Sequence, residues 1–283
     1  MVPHLDGWTG TAGLGRLGRR WASMHRTGDA MKPEDYQLDI LVQGYPGKSV
    51  CHGGLGWSTI VLLRGAGRVA LVDVGTFSHR ANLLAGLQRH GLDPSEVTDV
   101  ILTHSHHDHA INWVLFDKAT IWLGAHEIEW AVKEPWGRTP VPELYVRELR
   151  ASQQLRVIRH GDAIIPGMVA YDAPGHTPGH MIFVLSGVAR DVIFTGDAAK
   201  NRAELLTRSA DMTFDPAVTA ASIDLMWELW RRRPDTLLVP GHDMPMVLRD
   251  GAPVFVGKRE AAITSWFGDD LDTMTRFELT VGR

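Results

Sequence analysis

Residues 103–110 read THSHHDHA and follow directly on the apolar run 99–102. Within six positions the chain offers His104, His106, Asp108 and His109, at the end of what reads as a buried strand. Alternate residues of an extended segment point the same way, so His104 and His106 share a direction, while Asp108 and His109 can turn toward a second centre. A solvated polar loop accounts for one histidine. Four ligand-type residues packed this closely point to metal, and their spacing admits two ions from one segment.

Three further candidates each stand in a glycine-flanked turn after an apolar run: His176 in APGHTPGH, Asp197 in FTGDAA and His242 in VPGHDM. Glycine lets the backbone approach a ligand closely, which is the setting a metal loop needs. With the first cluster they complete two coordination shells. Cys51 is the only cysteine, so an intrachain disulfide and a thiolate metal cluster are both ruled out. Any metal rests on histidine and carboxylate.

A chain of 283 residues, 44% hydrophobic, can bury one substantial core. Its first thirty residues stand apart: six glycines from Gly7 to Gly28 are scattered among Arg16, Arg19, Arg20 and Arg26, a composition with much entropy to lose and little apolar periodicity. Residues 1–34 are expected to be a flexible extension, with Met31 as an alternative start, and residues 35–283 a single catalytic domain. β-Branched and apolar runs at 39–42, 59–63, 69–74, 98–102, 120–123, 168–171, 181–185, 191–195 and 236–239 read as strands. Residues 217–233 carry Val218, Ala221, Leu225 and Leu229 at helical spacing and close on three arginines and Pro234, an amphipathic helix with a proline stop. The stretch around Leu83, Leu84 and Leu87 reads similarly. Interleaved strands and helices predict sheets covered by helices. One echo stands out: VALVDVG (69–75) and DVIFTGDA (191–198) are both strands running into an aspartate and small residues, as two similar halves would leave.

The net charge of −4 gives no long-range attraction to polyanions, which argues against nucleic acid as a partner. No run approaches the roughly 20 apolar residues of a membrane helix, and no continuous apolar stretch marks a secretory signal. The expectation is a cytoplasmic protein acting on a small molecule, without a membrane partner, and with a homodimer left open.

On these residues the chain resembles the metallo-β-lactamase superfamily, whose His-x-His-x-Asp-His signature stands unbroken as His104, Ser105, His106, His107, Asp108, His109. The resemblance runs over 73–242, from Asp73 in LVDVGT through HTPGH (176–180), as in glyoxalase II and lactonases, to Asp197 and His242. It implies an α+β fold, the four-layer αβ/βα sandwich with metals at one edge of the paired sheets. It implies His104, His106 and His176 around one ion, Asp108, His109 and His242 around the other, and Asp197 bridging them. Asp73 would orient a ligand histidine and His180 would support the ligand set from behind. The cofactors implied are two divalent ions, zinc first, with manganese, cobalt or iron as alternatives. Two such ions about 3.5–4 Å apart share a water, lower its pKa and polarise a carbonyl. The implied reaction is hydrolysis of an ester, lactone or thioester by a metal-bridging hydroxide, with Asp108 orienting the nucleophile and passing a proton to the leaving group.

Within the family, the main zinc-cysteine β-lactamases carry a cysteine where Asp197 stands, and glyoxalase II carries a helical C-terminal domain where 41 residues follow His242. Acyl-homoserine lactonases are the nearer match in length and in HTPGH and GHD, yet place a tyrosine where Lys200 stands. Lys200 and Arg202 are candidates to bind a substrate carboxylate or phosphate. Trp130, Trp136 and Tyr145, in what reads as an aromatic-rich insertion over 127–160, and Trp57 in GLGWST, are candidates for an apolar pocket wall. Two alternatives share the motif: a mononuclear iron oxidoreductase like the persulfide dioxygenases, and a nuclease resembling small mammalian members of the superfamily. A scaffold without turnover is disfavoured, because every ligand position is filled.

Overall fold

The computed structural model describes residues 36–51 and 53–280. The expected extension over 1–34 lies outside them, and the fold is that of the unit Pro33–Arg283. Numbered along the chain, the first strands are Gln37–Val42 (β1), the short pair Lys48–Ser49 (β2) and Gly53–Gly54 (β3), Ile60–Gly65 (β4), Arg68–Val72 (β5), Asp99–Ile101 (β6), Thr120–Gly124 (β7) and Leu155–Ile158 (β8). They are followed by Met168–Asp172 (β9), Met181–Ser186 (β10), Asp191–Gly196 (β11), Leu237–Pro240 (β12), Met246–Arg249 (β13), Ala252–Phe255 (β14), Ala262–Ser265 (β15) and Thr275–Glu278 (β16). One sheet has the order β1-β4-β5-β6-β7-β8 and the other β14-β13-β12-β11-β10-β9.

Strand β4 shows why two sheets form. Side chains alternate across a strand, so a run that is apolar at every position must be covered on both faces. Val61 and Leu63 enter a core between the sheets, with Val72 and Ile101 from their own sheet and Phe183, Leu185, Phe194 and Val239 from the other. Ile60 and Leu62 face outward into a second core closed by Leu83, Leu87, Ile128, Val146 and Leu149, on the helices Arg80–Arg89, Ala125–Ala131 and Glu143–Ala151. On the far side Ile182, Ile193, Leu238 and Met246 are covered by Ile223, Met226, Trp227 and Trp230 of the helix Pro216–Arg231, which Asp215 caps by accepting from the N–H groups of Ala217 and Val218. The layers run helix, sheet, sheet, helix: the expected α+β αβ/βα sandwich. Among the described residues no helix is long and apolar enough to cross a membrane.

The structure corrects two expectations. Residues 127–160 are no insertion: they supply two of the covering helices and the edge strand β8. Strand β5 stops at Val72, before Asp73 and Val74, because Asp73 turns out of the strand at φ 52. The C-terminal strands β13 to β16 had no counterpart in the sequence reading; β16 is exposed throughout, so no buried face imposes an alternation on it.

The echo between 69–75 and 191–198 corresponds to equivalent places. β5 pairs antiparallel with β4 and parallel with β6; β11 pairs antiparallel with β10 and parallel with β12. Parallel neighbours end at the same edge, so the residues after β5, β6, β11 and β12 are delivered together. The sheets are joined at that edge: Thr59 N donates to Gly241 O at 2.7 Å and Met181 N to Thr103 O at 3.0 Å.

Candidate metal centre

The segment after β6 stays extended through His106 (φ −64°, ψ 151°) and then makes the helical turn His107–Ala110. That change of backbone splits its ligands. His104 and His106 lie with ring centroids 4.6 Å apart, and His106 Nδ1 is 3.0 Å from Nε2 of His176, which comes from the loop between β9 and β10. Asp108 and His109 lean the other way, where His242 after β12 meets them: His242 Nε2 lies 3.2 Å from Asp108 Oδ2 and 3.3 Å from His109 Nε2. Asp197 stands between, its Oδ2 3.4 Å from His176 Nε2 and its Oδ1 3.1 Å from His109 Nε2 and 3.2 Å from His242 Nε2. The close approach is possible because residue 241 is glycine: a Cβ there would meet Asp197 Oδ1.

Two groups of three, His104 with His106 and His176, and Asp108 with His109 and His242, could each hold a metal ion, as could the combination of His104, His109 and Asp197. The donors fit a divalent cation on chemical grounds. His104 Nε2 is buried without a hydrogen-bond partner, which is costly unless something satisfies it. Neutral imidazole nitrogens and carboxylate oxygens are ligands for zinc, manganese, cobalt or iron.

Burial holds His106 at about 4 and His180 at about 3, and keeps His104 and His176 well below the ordinary histidine value. These rings are neutral and present lone pairs. On the other side burial is outweighed by carboxylates. His242 is pushed up to about 9 against its burial by Asp197 and Asp108, and His109 is raised well above its usual value against burial by Asp197, Asp108 and Asp73. Asp197, which burial would raise, is held well below the usual carboxylate range by His242 and His109.

Supporting contacts set the rings. Thr103 Oγ1 lies 3.1 Å from His104 Nδ1 and donates to Asp73 Oδ2 at 2.8 Å, so His104 Nδ1 carries the proton and Nε2 faces the cluster. Asp197 N donates to His180 Nε2 at 3.0 Å, which fixes the backbone of Asp197. Ser58 Oγ donates to the carbonyl of Asp108. Glu127 was not singled out in the sequence: it is fully buried and accepts from Ser105 and Thr177, beside three of the histidines. Its signal was an acidic residue among the core positions Ile128 and Ala131 of a helix.

The remaining candidates part company. Trp130 borders the site, with ring centroids 6.3 Å from His106 and 6.3 Å from Phe214, and Phe214 is 66% exposed. Tyr145 packs edge-on against Phe77, whereas Trp136 is exposed beneath Arg147. Trp57 stacks on Tyr45 and donates to Gln43 O. Lys200 is committed within the protein: its amine pairs with Glu204 at 3.0 Å and donates to Asp211 O at 2.6 Å. Arg202 lies over the ring of Phe255. Among the seven ligand-type side chains Asp108 is the most open, 22% exposed against 11% for His242, so the site opens on the Asp108 side.

Residues 53–242 match the family model described as the metallo-beta-lactamase superfamily. An N-acyl homoserine lactonase of Bacillus thuringiensis is 27% identical over 160 residues, 56% of this chain and 60% of that protein. The chain therefore spans about three fifths of the length of that relative. A hydroxyacylglutathione hydrolase of Fuscovulum blasticum is 29% identical over 206 residues, 69% of this chain and 68% of its own. A crystal structure from Thermotoga maritima, described as a candidate metallo-beta-lactamase, superposes with TM-score 0.60 at 25% identity over 75% of this chain and 99% of that one.

Proposed function

The chain belongs to the metallo-beta-lactamase superfamily, and from that premise we propose that it is a binuclear metallohydrolase cleaving an ester, lactone or thioester of a small molecule with an apolar acyl part. The observation that carries this reading is Asp197: one of its oxygens faces His176 and the other faces His109 and His242, the arrangement of a carboxylate shared by two ions. Of the two relatives named above, one is called a lactonase and the other a hydrolase of hydroxyacylglutathione.

His104, His106 and His176 would hold one ion, Asp108, His109 and His242 the other, and Asp197 both. Divalent cations there would supply Lewis acidity and lower the pKa of a bound water. The chain's own residues do the rest. Asp108, at the open side, would orient an attacking water through its carboxylate and carry the released proton to the leaving oxygen or sulfur. Trp130 and Phe214 form an apolar face beside His106 on which an acyl chain can lie. Lys200, being spent on Glu204 and Asp211, shapes the loop rather than binding a substrate anion.

The test is the metal content of protein purified without chelator or added metal, followed by a screen of lactones, esters and thioesters. Close to two equivalents of zinc, manganese or cobalt with turnover of one of these classes is the expected result. One equivalent of iron with oxygen-dependent sulfur chemistry, and no hydrolysis, would overturn the proposal.

A further inference from the structure

The carboxylate of Glu127 lies away from water and takes no part in the chemistry above. It accepts from Ser105 N at 2.9 Å and Ser105 Oγ at 2.6 Å through Oε1, and from Thr177 Oγ1 at 2.6 Å through Oε2. Ser105 stands between His104 and His106, and Thr177 directly follows His176. One side chain therefore holds the neighbours of all three imidazoles of the His104, His106, His176 group.

The grip is built into the backbone. Residue 179 must be glycine, because a Cβ there would meet the N and Cα of Glu127 and the carbonyl carbon of His126. The loop carrying His176 is thereby seated on the first turn of the helix Ala125–Ala131, and Glu127 occupies that turn. The partners of Glu127 in these bonds are neutral donors from the two loops. A carboxylate accepts from several donors and donates to none, which suits it to tie N–H and O–H groups from separate segments at one point. A buried carboxylate is costly unless so satisfied.

We infer that Glu127 is a positioning residue: it locks the loop of His104 and His106 to the loop of His176, so that these three imidazoles keep one geometry for a divalent cation. Outer partners of ligand loops of this kind are worth about 10–100-fold in metal affinity. The inference rests on the metal reading above, and its test reads coordination rather than turnover.

Chelator-treated full-length protein is titrated with cobalt(II), following the d–d absorption band and the bound equivalents, in wild type, Glu127→Ala, Glu127→Gln and Asp99→Asn. Asp99 is likewise a fully buried carboxylate, bonded to Thr98 and Trp122 at the other end of β6, and controls for general loss of stability. Glu127→Gln keeps one acceptor oxygen and decides the matter alone should Glu127→Ala not fold. Expected are two equivalents in wild type and in Asp99→Asn, and in the Glu127 variants a loss of about 10–100-fold in affinity for one ion, an altered band, and the other ion held as before. Unchanged affinities and spectrum in both Glu127 variants, or an equal loss in Asp99→Asn, overturn the inference and leave the metal reading standing. No cobalt uptake by wild type overturns both.

Discussion

His109 Nδ1 lies 2.8 Å from Asp73 Oδ2, with both side chains buried. The same aspartate accepts from Thr103 N at 2.9 Å and Thr103 Oγ1 at 2.8 Å, so it joins the end of β5 to the loop after β6. Asp73 adopts φ 52, a left-handed conformation uncommon outside glycine. The bend turns its carboxylate back toward His109, whose Nε2 is left facing Asp197 Oδ1 and His242 Nε2.

Removing that carboxylate frees the ring. Asp73→Ala is expected to weaken cation binding at the Asp108, His109, His242 group by about 10–100-fold, read by metal titration of chelator-treated protein. An affinity equal to wild type at both ions would contradict the orienting role.

Asp108 is assigned the proton-carrying role, and general acid–base groups contribute about 10²–10⁴-fold to rate. Asp108→Asn should lower kcat by that order on whichever ester, lactone or thioester the wild type cleaves. Because the side chain is 22% exposed, little core packing is lost and the variant should still fold, with the melting temperature lowered only by the loss of the charge facing His242. Full activity in the purified variant would sink the role.

Asp197 and Asp108 raise His242 to about 9 against the effect of its burial. A histidine whose folded pKa exceeds its unfolded value contributes stability that is complete below about 6.5 and is lost as pH rises through about 9. Chelator-treated protein should therefore melt progressively lower between these values, while binding of a cation displaces the proton and strengthens with pH over the same window. Melting curves with and without metal across this range test it; a metal-free melting temperature that climbs toward pH 9 would be the wrong sign.

Trp130 lies beside His106 and Phe214. Burying a large apolar group is worth about 1.5–3 kcal/mol, so Trp130→Ala should raise KM for long-chain acyl substrates roughly tenfold or more and leave acetyl substrates nearly unchanged. Equal effects on short and long chains would remove Trp130 from the acyl-binding face.

Much of the fold was legible because strands buried on both faces must be apolar at nearly every position, as Ile60 to Leu63 are. The converging side chains were legible for a related reason: His104 to His109, His176, Asp197 and His242 each stand just beyond such a run, where glycine or a short turn admits them. Exposed elements carry no such constraint. Strand β16 and the helices within 127–160 were missed or misjudged, since their residues answer to one buried face or to none.

The order of residues by itself determined the chemistry of the donors and the presence of sheets covered by helices, because ligand spacing and side-chain alternation act over a few neighbouring positions; the four-layer sandwich followed only from the family resemblance. Which partner each polar group meets was decided only in three dimensions. Lys200, an anion-binding candidate by its charge, is spent on Glu204 and Asp211. Glu127, with no motif to mark it, closes hydrogen bonds across 22 and 50 residues of chain. Such contacts depend on how two sheets bring their loops to one edge, and no local pattern encodes that distance.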